Sequence, residues 1–355
     1  MNVISCRIVQ WILLFAVTVE SDAFAPILTL QKSHVANHKF KPPLKLNSFK
    51  NLPSSLSVRG GNILTENDSI RKTALSCTLV ETVVTTLTSN SPFGILALSG
   101  IANTVLVPLT LIRQGYVFSV GYGFSVFAIA LSIAKSFGLN PLSNPTTISL
   151  LCCAVAFYGV RLGGHLLLRE FTVPEKRQQM LDFDKSPRLK RIPLALSTSL
   201  FYAFLTSPLL YAARVYTSTT HVMVSFITKI GLGLTWAGAL MEALADLQKF
   251  IVKRNAPKDT FVGPTGGIYK LSRHPNYFAE VLFWFGLVVS CLPFFGKQYG
   301  AYVYASLGLY GIYSIMTNAT KRLDGKQKDK YSGQDKFDEY IKNVKAPLWP
   351  WISWV

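Results

Sequence analysis

Apolar residues gather along the chain in seven long runs: Phe93–Ile112, Tyr116–Phe137, Thr147–Leu168, Ile192–Ala213, Val222–Leu244, Tyr277–Phe295 and Tyr299–Thr317. Each is close to the roughly twenty residues a helix needs to cross bilayer hydrocarbon. The pattern predicts an all-α polytopic membrane helix bundle with about seven transmembrane helices (six to eight). Thr73–Thr88, apolar but threonine-rich, is the candidate for an additional helix.

The polar stretches between the runs are not alike. Lys and Arg concentrate after the third run (Arg169 to Arg191), after the fifth (Lys249 to Arg273) and after the seventh (Lys321 to Lys345). The stretches after the second, fourth and sixth hold little beyond Lys135, Arg214 and Lys297. Under the positive-inside rule the basic loops and the segment after the seventh run share one face of the membrane. Three basic loops on one face are placed to converge on one pocket.

The N-terminus follows other rules. Arg7 precedes an apolar run, Ile8–Val19, too short to span and suited to a signal-peptide core. Ser21 and Ala23 supply the small residues of a cleavage site, which assigns 1–23 to a signal peptide. Phe24-Ala25-Pro26 follows, and 24–60 is basic, rich in Ser and Asn, and free of Asp and Glu. A signal peptide followed by A-F-A-P resembles the bipartite presequence of algae with secondary plastids. That resemblance implies a plastid membrane; an ordinary secretory signal would imply the endoplasmic reticulum. Residues 61–355 are then a single membrane domain.

Composition narrows the partners. Half of the 355 residues are hydrophobic, 15% are charged, and the net charge is +18. The basic residues lie between hydrophobic segments and do not alternate with aromatics, so nucleic acid is excluded in favour of anionic lipid and a phosphate-bearing cofactor. No partner protein is evident. The five cysteines form no C-x-x-C pair and the five histidines are scattered, which argues against a disulfide framework and a metal site.

The stretch with the most chemistry is Gly263–Gly286, GPTGGIYKLSRHPNYFAEVLFWFG. Its glycines and Pro264 make a turn that lets backbone approach a ligand. Pro275 suits the first position of a helix. The helix N-terminus, with Arg273 beside it, favours an anionic group. Asn276 and Glu280 share one helix face, with Tyr277 beside them, and a carboxylate inside an apolar helix is expensive unless it has a function. Glu242 and Asp246, also i, i+4, end the fifth run, with Lys249 and Lys253 continuing near the same face. Arg161 lies inside the third run and needs a carboxylate, a carbonyl or a ligand at that depth; His165 is one turn on.

GGIYKLSRHPNYFAE resembles the signature of the steroid 5α-reductase C-terminal-like superfamily, and within it the branch of uncharacterised membrane proteins (domain of unknown function 1295). Sterol C14-reductases and isoprenylcysteine carboxyl methyltransferases carry similar R-H-P-x-Y stretches. The likeness covers about 158–351. It implies a cofactor pocket in that half, for NADPH as in the reductases or S-adenosylmethionine as in the methyltransferases. Asp246, Asn276 and Glu280 correspond to positions that line the reductases' NADPH pocket. With these, the resemblance and the local chemistry together assign Lys249, Arg273 and His274 to anionic groups, and Tyr269 and Tyr277 to stacking on a ring. Lys321, Arg322 and Asp324 resemble the basic-acidic stretch that closes over the cofactor after the last helix. Tyr331 to Tyr340 is longer than the family pattern by an inserted Ser-Gly-Gln-Asp.

These residues lead to an NADPH-dependent reductase of a conjugated C=C bond in a lipid-soluble substrate of sterol, polyprenyl or carotenoid type. The alternatives are an S-adenosylmethionine-dependent methyltransferase of isoprenylcysteine type, whose paired acidic residues after the last helix are missing here, and a non-catalytic membrane protein that binds a lipid or nucleotide. The resemblance also implies a substrate-polarising Tyr and Glu from the N-terminal half. Glu81, Tyr116, Tyr122 and Tyr158 are in that half, and nothing in the sequence singles out a pair.

Overall fold

The computed structural model describes residues 94–184, 186–218, 225–254, 257, 259–350 and 352. The signal peptide, the 24–60 leader and Thr73–Thr88 lie outside the described residues. Nine α-helices and no strand occur among the described residues: α1 (Ile95–Ile112), α2 (Val120–Ser136), α3 (Thr147–Thr172), α4 (Pro174–Phe183), α5 (Ile192–Ser218), α6 (Phe226–Lys253), α7 (Pro275–Phe295), α8 (Tyr299–Tyr331) and α9 (Asp335–Asn343).

Seven of them stand where the seven apolar runs predict helices. α1, α3, α5, α6 and α7 are long and apolar enough to cross a membrane. α2 is equally apolar in character but has 17 residues. α8 is the least apolar of the seven and falls short of the apolarity of a span, with tyrosine at positions 299, 302, 304, 310 and 313 of its first half. The molecule is an integral-membrane helix bundle.

Local chemistry sets the helix starts. Thr146 caps α3 by accepting from the Ser149 N–H (3.2 Å), while the Ser149 hydroxyl accepts from the Thr146 N–H (2.8 Å). Ser225 caps α6 through the Thr228 N–H. Pro275 occupies the first turn of α7, as its missing N–H favours. Four helices outrun their apolar segments, α3 to Thr172 and α5 to Ser218 by about a turn and two others by more. α6 continues past Leu244 to Lys253, and α8 past Thr317 to Tyr331, because hydropathy marks where lipid ends and not where helix ends. Asp246, Lys249 and Asp324 are therefore helical.

In lipid the helices gain little from burying apolar surface, so close packing has to hold them together. α2 and α3 form one hairpin and α6 and α7 another. α5 runs through the middle, touching α1, α2, α3, α7 and α8. The hairpins are tight because glycines let backbones meet. A Cβ on Gly238 of α6 would lie 2.5 Å from the Phe283 nitrogen, and one on Gly159 of α3 would lie 2.6 Å from the Gly123 carbonyl oxygen.

The ends of α1, α3, α6 and α8 and the starts of α2, α5 and α7 lie on one face, which carries the basic loops. There Arg113 pairs with Glu170 (3.0 Å) and reaches Asp184 (3.5 Å), which Arg191 also holds (3.1 Å). After α8 the chain turns at Ser332–Gly333, where Gly333 takes φ +85°, a left-handed conformation that favours glycine. The inserted Ser-Gly-Gln-Asp is this turn. Phe261, Phe337, Tyr340 and Val344 then form a small separate core that seats α9 on the loop before α7.

Candidate functional site

Inside the bundle, level with the start of α7, the helices bring polar side chains together in a continuous buried network. Arg161 of α3 is its centre. Its Nη2 lies 2.8 Å from Glu242 Oε1 and its Nη1 2.8 Å from Asp246 Oδ2. The arginine has the carboxylates its depth demands, and each carboxylate, one turn apart on α6, has a cation. Asn276 of α7 donates to the other Asp246 oxygen (3.3 Å).

One turn further along α7, Glu280 accepts a hydrogen bond from the Tyr122 hydroxyl of α2 (3.0 Å). The Tyr122 oxygen also receives the Trp284 indole N–H (2.9 Å) and lies 3.2 Å from the Tyr158 hydroxyl. Tyr202 of α5 stacks on Tyr122 at 4.8 Å, and Phe283 stacks on Tyr158 at 4.2 Å. Glu242, Glu280, Tyr122, Tyr158 and Trp284 are all buried. Three polar atoms of the network have no hydrogen-bond partner: Asn276 Oδ1, Glu242 Oε2 and Arg161 Nε. A buried polar atom left without a partner is costly; here Asn276 Oδ1 and Glu242 Oε2 are open acceptors and Arg161 Nε is an open donor.

Toward the basic face the network opens among cations. Lys249, one turn beyond Asp246, shares its electrostatic surroundings with Lys253 of α6, Arg169 of α3 and Lys176 of α4. Burial pulls the Lys176 ammonium down to about 8, and the neighbouring Arg169 and Lys253 add to that against Glu175. Tyr277 stands between the tiers, within reach of the charges of Glu280, Arg169, Arg322 and Asp246. Arg322 and Lys321 are exposed on α8, and Lys321 is engaged by a partner.

Arg273 and His274 point elsewhere. The Arg273 guanidinium forks onto Asp324 of α8, pairing Nη2 with Oδ2, and donates to the carbonyls of Val344 (2.8 Å) and Lys345 (3.0 Å). His274 Nε2 lies 2.8 Å from the second Asp324 oxygen. Backbone N–H groups of Arg273 and His274 bond to the carbonyls of Ala346 and Pro347. Burial alone would raise the Asp324 carboxyl, but the hydrogen bonds from His274 and Arg273, with the Arg273 charge, win and hold it at about 2. Burial also lowers His274, outweighing Asp324, so a neutral ring donates its Nε2–H to an ionised carboxylate. Tyr269 is likewise occupied: its hydroxyl donates to Ala245 (3.2 Å) and its carbonyl accepts from Tyr340 (3.1 Å). Together these contacts latch the tail over the loop.

Of the residues expected in a cofactor pocket, the structure thus joins Asp246, Lys249, Asn276, Tyr277 and Glu280, with Arg322 at the rim. It places Arg273, His274 and Tyr269 in the latch beside them. Tyr122, Tyr202 and Trp284 enter the network with no sequence motif to announce them. The only cue is that a phenol or indole inside an apolar helix needs a polar partner. The described residues contain no group of His, Cys, Asp and Glu able to hold a metal ion.

The family profile described as "Protein of unknown function (DUF1295)" matches residues 117–344, well over half of the chain. The chain belongs to the DUF1295 family. No curated protein and no solved structure matches it. The matched span of this DUF1295 protein takes in every residue of the network and of the latch up to Val344.

Proposed function

We propose that this DUF1295 protein is a membrane-embedded, NADPH-dependent reductase of a conjugated C=C bond in a lipid-soluble substrate of sterol, polyprenyl or carotenoid type. The observation that carries the reading is the buried Tyr122–Glu280 pair, one helical turn from buried acceptors without a partner, with the cations around Lys249 following Asp246 along α6. NADPH fits that arrangement. Asn276 Oδ1 and Glu242 Oε2 are acceptors for ribose hydroxyl or carboxamide N–H donors, and Arg169, Lys176, Lys249 and Lys253 are partners for phosphates. S-adenosylmethionine carries no phosphate and leaves those cations unused.

When bound, NADPH supplies a hydride. The chain's residues bind, orient and polarise. Tyr122 would turn its O–H to a substrate carbonyl and hold the oxygen as negative charge grows there. The Trp284 N–H, already aimed at the Tyr122 oxygen, and the Tyr158 hydroxyl beside it would stabilise the charge that passes to it. Glu280 keeps the Tyr122 hydroxyl oriented and exchanges a proton with it. The surrounding Phe283, Trp284 and Tyr202 exclude water. A plastid membrane is the proposed location, resting on the A-F-A-P leader.

The test is ligand-induced stabilisation of the full chain in detergent, because a ligand that binds only the native state raises its melting temperature. NADPH should stabilise the wild type. Lys249→Gln should weaken binding about ten- to a hundredfold, the range for a charge-assisted contact, and Asn276→Ala about two- to tenfold, the range for a neutral hydrogen bond. Tyr122→Phe should bind NADPH normally yet fail to oxidise it with a lipid enone. Stabilisation by S-adenosylmethionine and not NADPH would assign the protein to the methyltransferases. No response to either would leave a lipid-binding protein without a nucleotide.

A further inference from the structure

The basic face carries a feature apart from the network and the latch. Where α1 ends and α5 begins, Leu111, Ile112, Arg188 and Leu189 line a groove of about 430 Å³. Pro187 precedes a single 3-10 turn, Arg188–Arg191, that leads into α5. Arg191, at the end of that turn, is buried and ties it down. Its guanidinium donates to the Ser186 carbonyl (2.8 Å), pairs with Asp184 (3.1 Å) and reaches the Thr110 carbonyl of α1 (3.4 Å). Arg113, just past α1, holds Glu170 and Asp184. The turn and the end of α1 are thereby fixed to each other, and the groove between them is built into the fold.

The lining is open to the outside. Leu189 is 75% exposed and Ile112 64%. Arg188 is exposed, as is Lys190 on the same turn. Aliphatic side chains this open sit better against hydrocarbon than in water. Their level matches the edge of the hydrocarbon. α1 has 18 residues; they rise roughly 27 Å, close to the roughly 30 Å of a bilayer core. Ile112, its last residue, therefore stands at the boundary with the headgroups. An arginine at that boundary keeps its head in the polar layer and lays its stem along apolar surface. The groove holds about as much as one turn of helix, too little to seat a helix and enough for the upper part of an acyl chain. Charge then chooses among lipids. Among the described residues, the acids that bracket the turn, Glu170 and Asp184, are engaged by Arg113 and Arg191, while the exposed Arg188 and Lys190 present positive charge to a headgroup. A choline headgroup would set a third cation beside them; an anionic headgroup complements them.

We infer that this groove is a binding site for an anionic phospholipid, with the phosphate at Arg188 and the upper part of one acyl chain over Leu111, Ile112 and Leu189. The guanidinium fork takes two phosphate oxygens, a geometry that lysine lacks. Lys190 adds charge from the same turn. A lipid seated there joins the end of α1 to the start of α5, so it should stabilise the bundle. No residue of the buried network lines the groove, and the site holds whether or not the reductase reading does.

The experiment compares the full chain, purified in a zwitterionic detergent, with Arg188→Gln, Ile112→Trp and Lys336→Gln. Ile112→Trp fills the groove and keeps every charge, and tryptophan suits this level of the membrane. Lys336→Gln removes one exposed cation on α9, outside the groove. Native mass spectrometry and thermal melts are run with phosphatidylglycerol, with phosphatidylcholine and with glycerol 3-phosphate, the headgroup phosphate without chains. The wild type should retain one phosphatidylglycerol and melt higher with it. Arg188→Gln should weaken that binding about three- to fivefold, the upper range for an exposed charge pair, and Lys336→Gln less than about twofold. Ile112→Trp should lose the retained lipid, yet without lipid melt within about 2 °C of the wild type, which shows that it is folded. Equal retention of phosphatidylglycerol by wild type and Ile112→Trp, or a loss in Arg188→Gln no larger than in Lys336→Gln, would overturn the site. Equal retention of phosphatidylcholine would overturn the choice of an anionic lipid. Arg188-dependent binding of glycerol 3-phosphate without retention of phosphatidylglycerol would overturn the lipid. So would cross-linking from a photoreactive group placed at Leu189 to a peptide of this chain, which would give the groove to that segment.

Discussion

Arg161 is the cation on which two buried carboxylates depend, so its removal is the sharpest test of the network. Arg161→Leu leaves Glu242 and Asp246 one turn apart on α6 with no cation between them. Their side chains are 3% and 10% exposed, so water cannot take the arginine's place. Breaking one buried pair by deleting a partner typically costs about 3–5 kcal/mol. Here one deletion strands two acids, but protonation limits the penalty. Neutralising a carboxyl of ordinary value 4.5 at pH 7 costs roughly 3.4 kcal/mol. A total of about 3–5 kcal/mol is therefore expected, which for a chain of this size corresponds to a fall in melting temperature of roughly 6–20 °C. The assay is thermal unfolding in detergent at neutral pH, run as a mutant cycle. Arg161→Leu combined with Glu242→Leu should lose less than Arg161→Leu alone, because the second change removes one stranded charge. Arg161→Leu melting within 2 °C (about 1 kcal/mol at most) of the wild type, or a double variant whose loss is the sum of the two singles, would refute the pairing.

Two further outcomes follow from the packing and the latch. Gly238→Val on α6 forces that helix off α7 at Phe283 and should destabilise by about 1–3 kcal/mol, measured by the same melt. Gly164→Val, where a Cβ meets nothing within 4 Å, should change stability by less than about 0.5 kcal/mol. Arg273→Ala should release the tail without unfolding the bundle, raising hydrogen exchange in Asp335–Asn343 by about ten- to a hundredfold. Acid should do the same. The latch keeps Asp324 ionised and His274 neutral, so its stability is present at neutral pH. It declines as pH falls through the ordinary histidine range and again below about 4. Protection factors in α9 that are unchanged between pH 7 and 4 would contradict this.

The bundle was legible because lipid makes a blunt demand. Runs such as Pro275–Phe295 admit little but a buried or lipid-facing helix. Arg161 was legible in kind, since its depth required a carboxylate, but choosing Glu242 and Asp246 needed the α3–α6 contact. Tyr122 was not legible. Its partner Glu280 is 158 residues away on α7, and only the packed bundle brings the two together. Arg273 shows the opposite failure. A cation at a helix N-terminus beside glycines is what an anion site looks like in sequence. The structure gives that cation a resident carboxylate, Asp324, from a helix that hydropathy alone would have ended at Thr317.

The latch has a consequence for biogenesis. Residues 334–347 leave the ribosome only after all seven long helices have been made, yet they complete the loop that leads into α7. Until they dock, Arg273 and Asp324 have each other but not the tail carbonyls that fix the loop's position. The chain can therefore be threaded into its membrane, helix by helix, before the loop that leads into α7 is set. A nascent or truncated copy that lacks the segment would be inserted with that loop unfixed, and quality control could distinguish it by an unlatched loop rather than by a misfolded bundle.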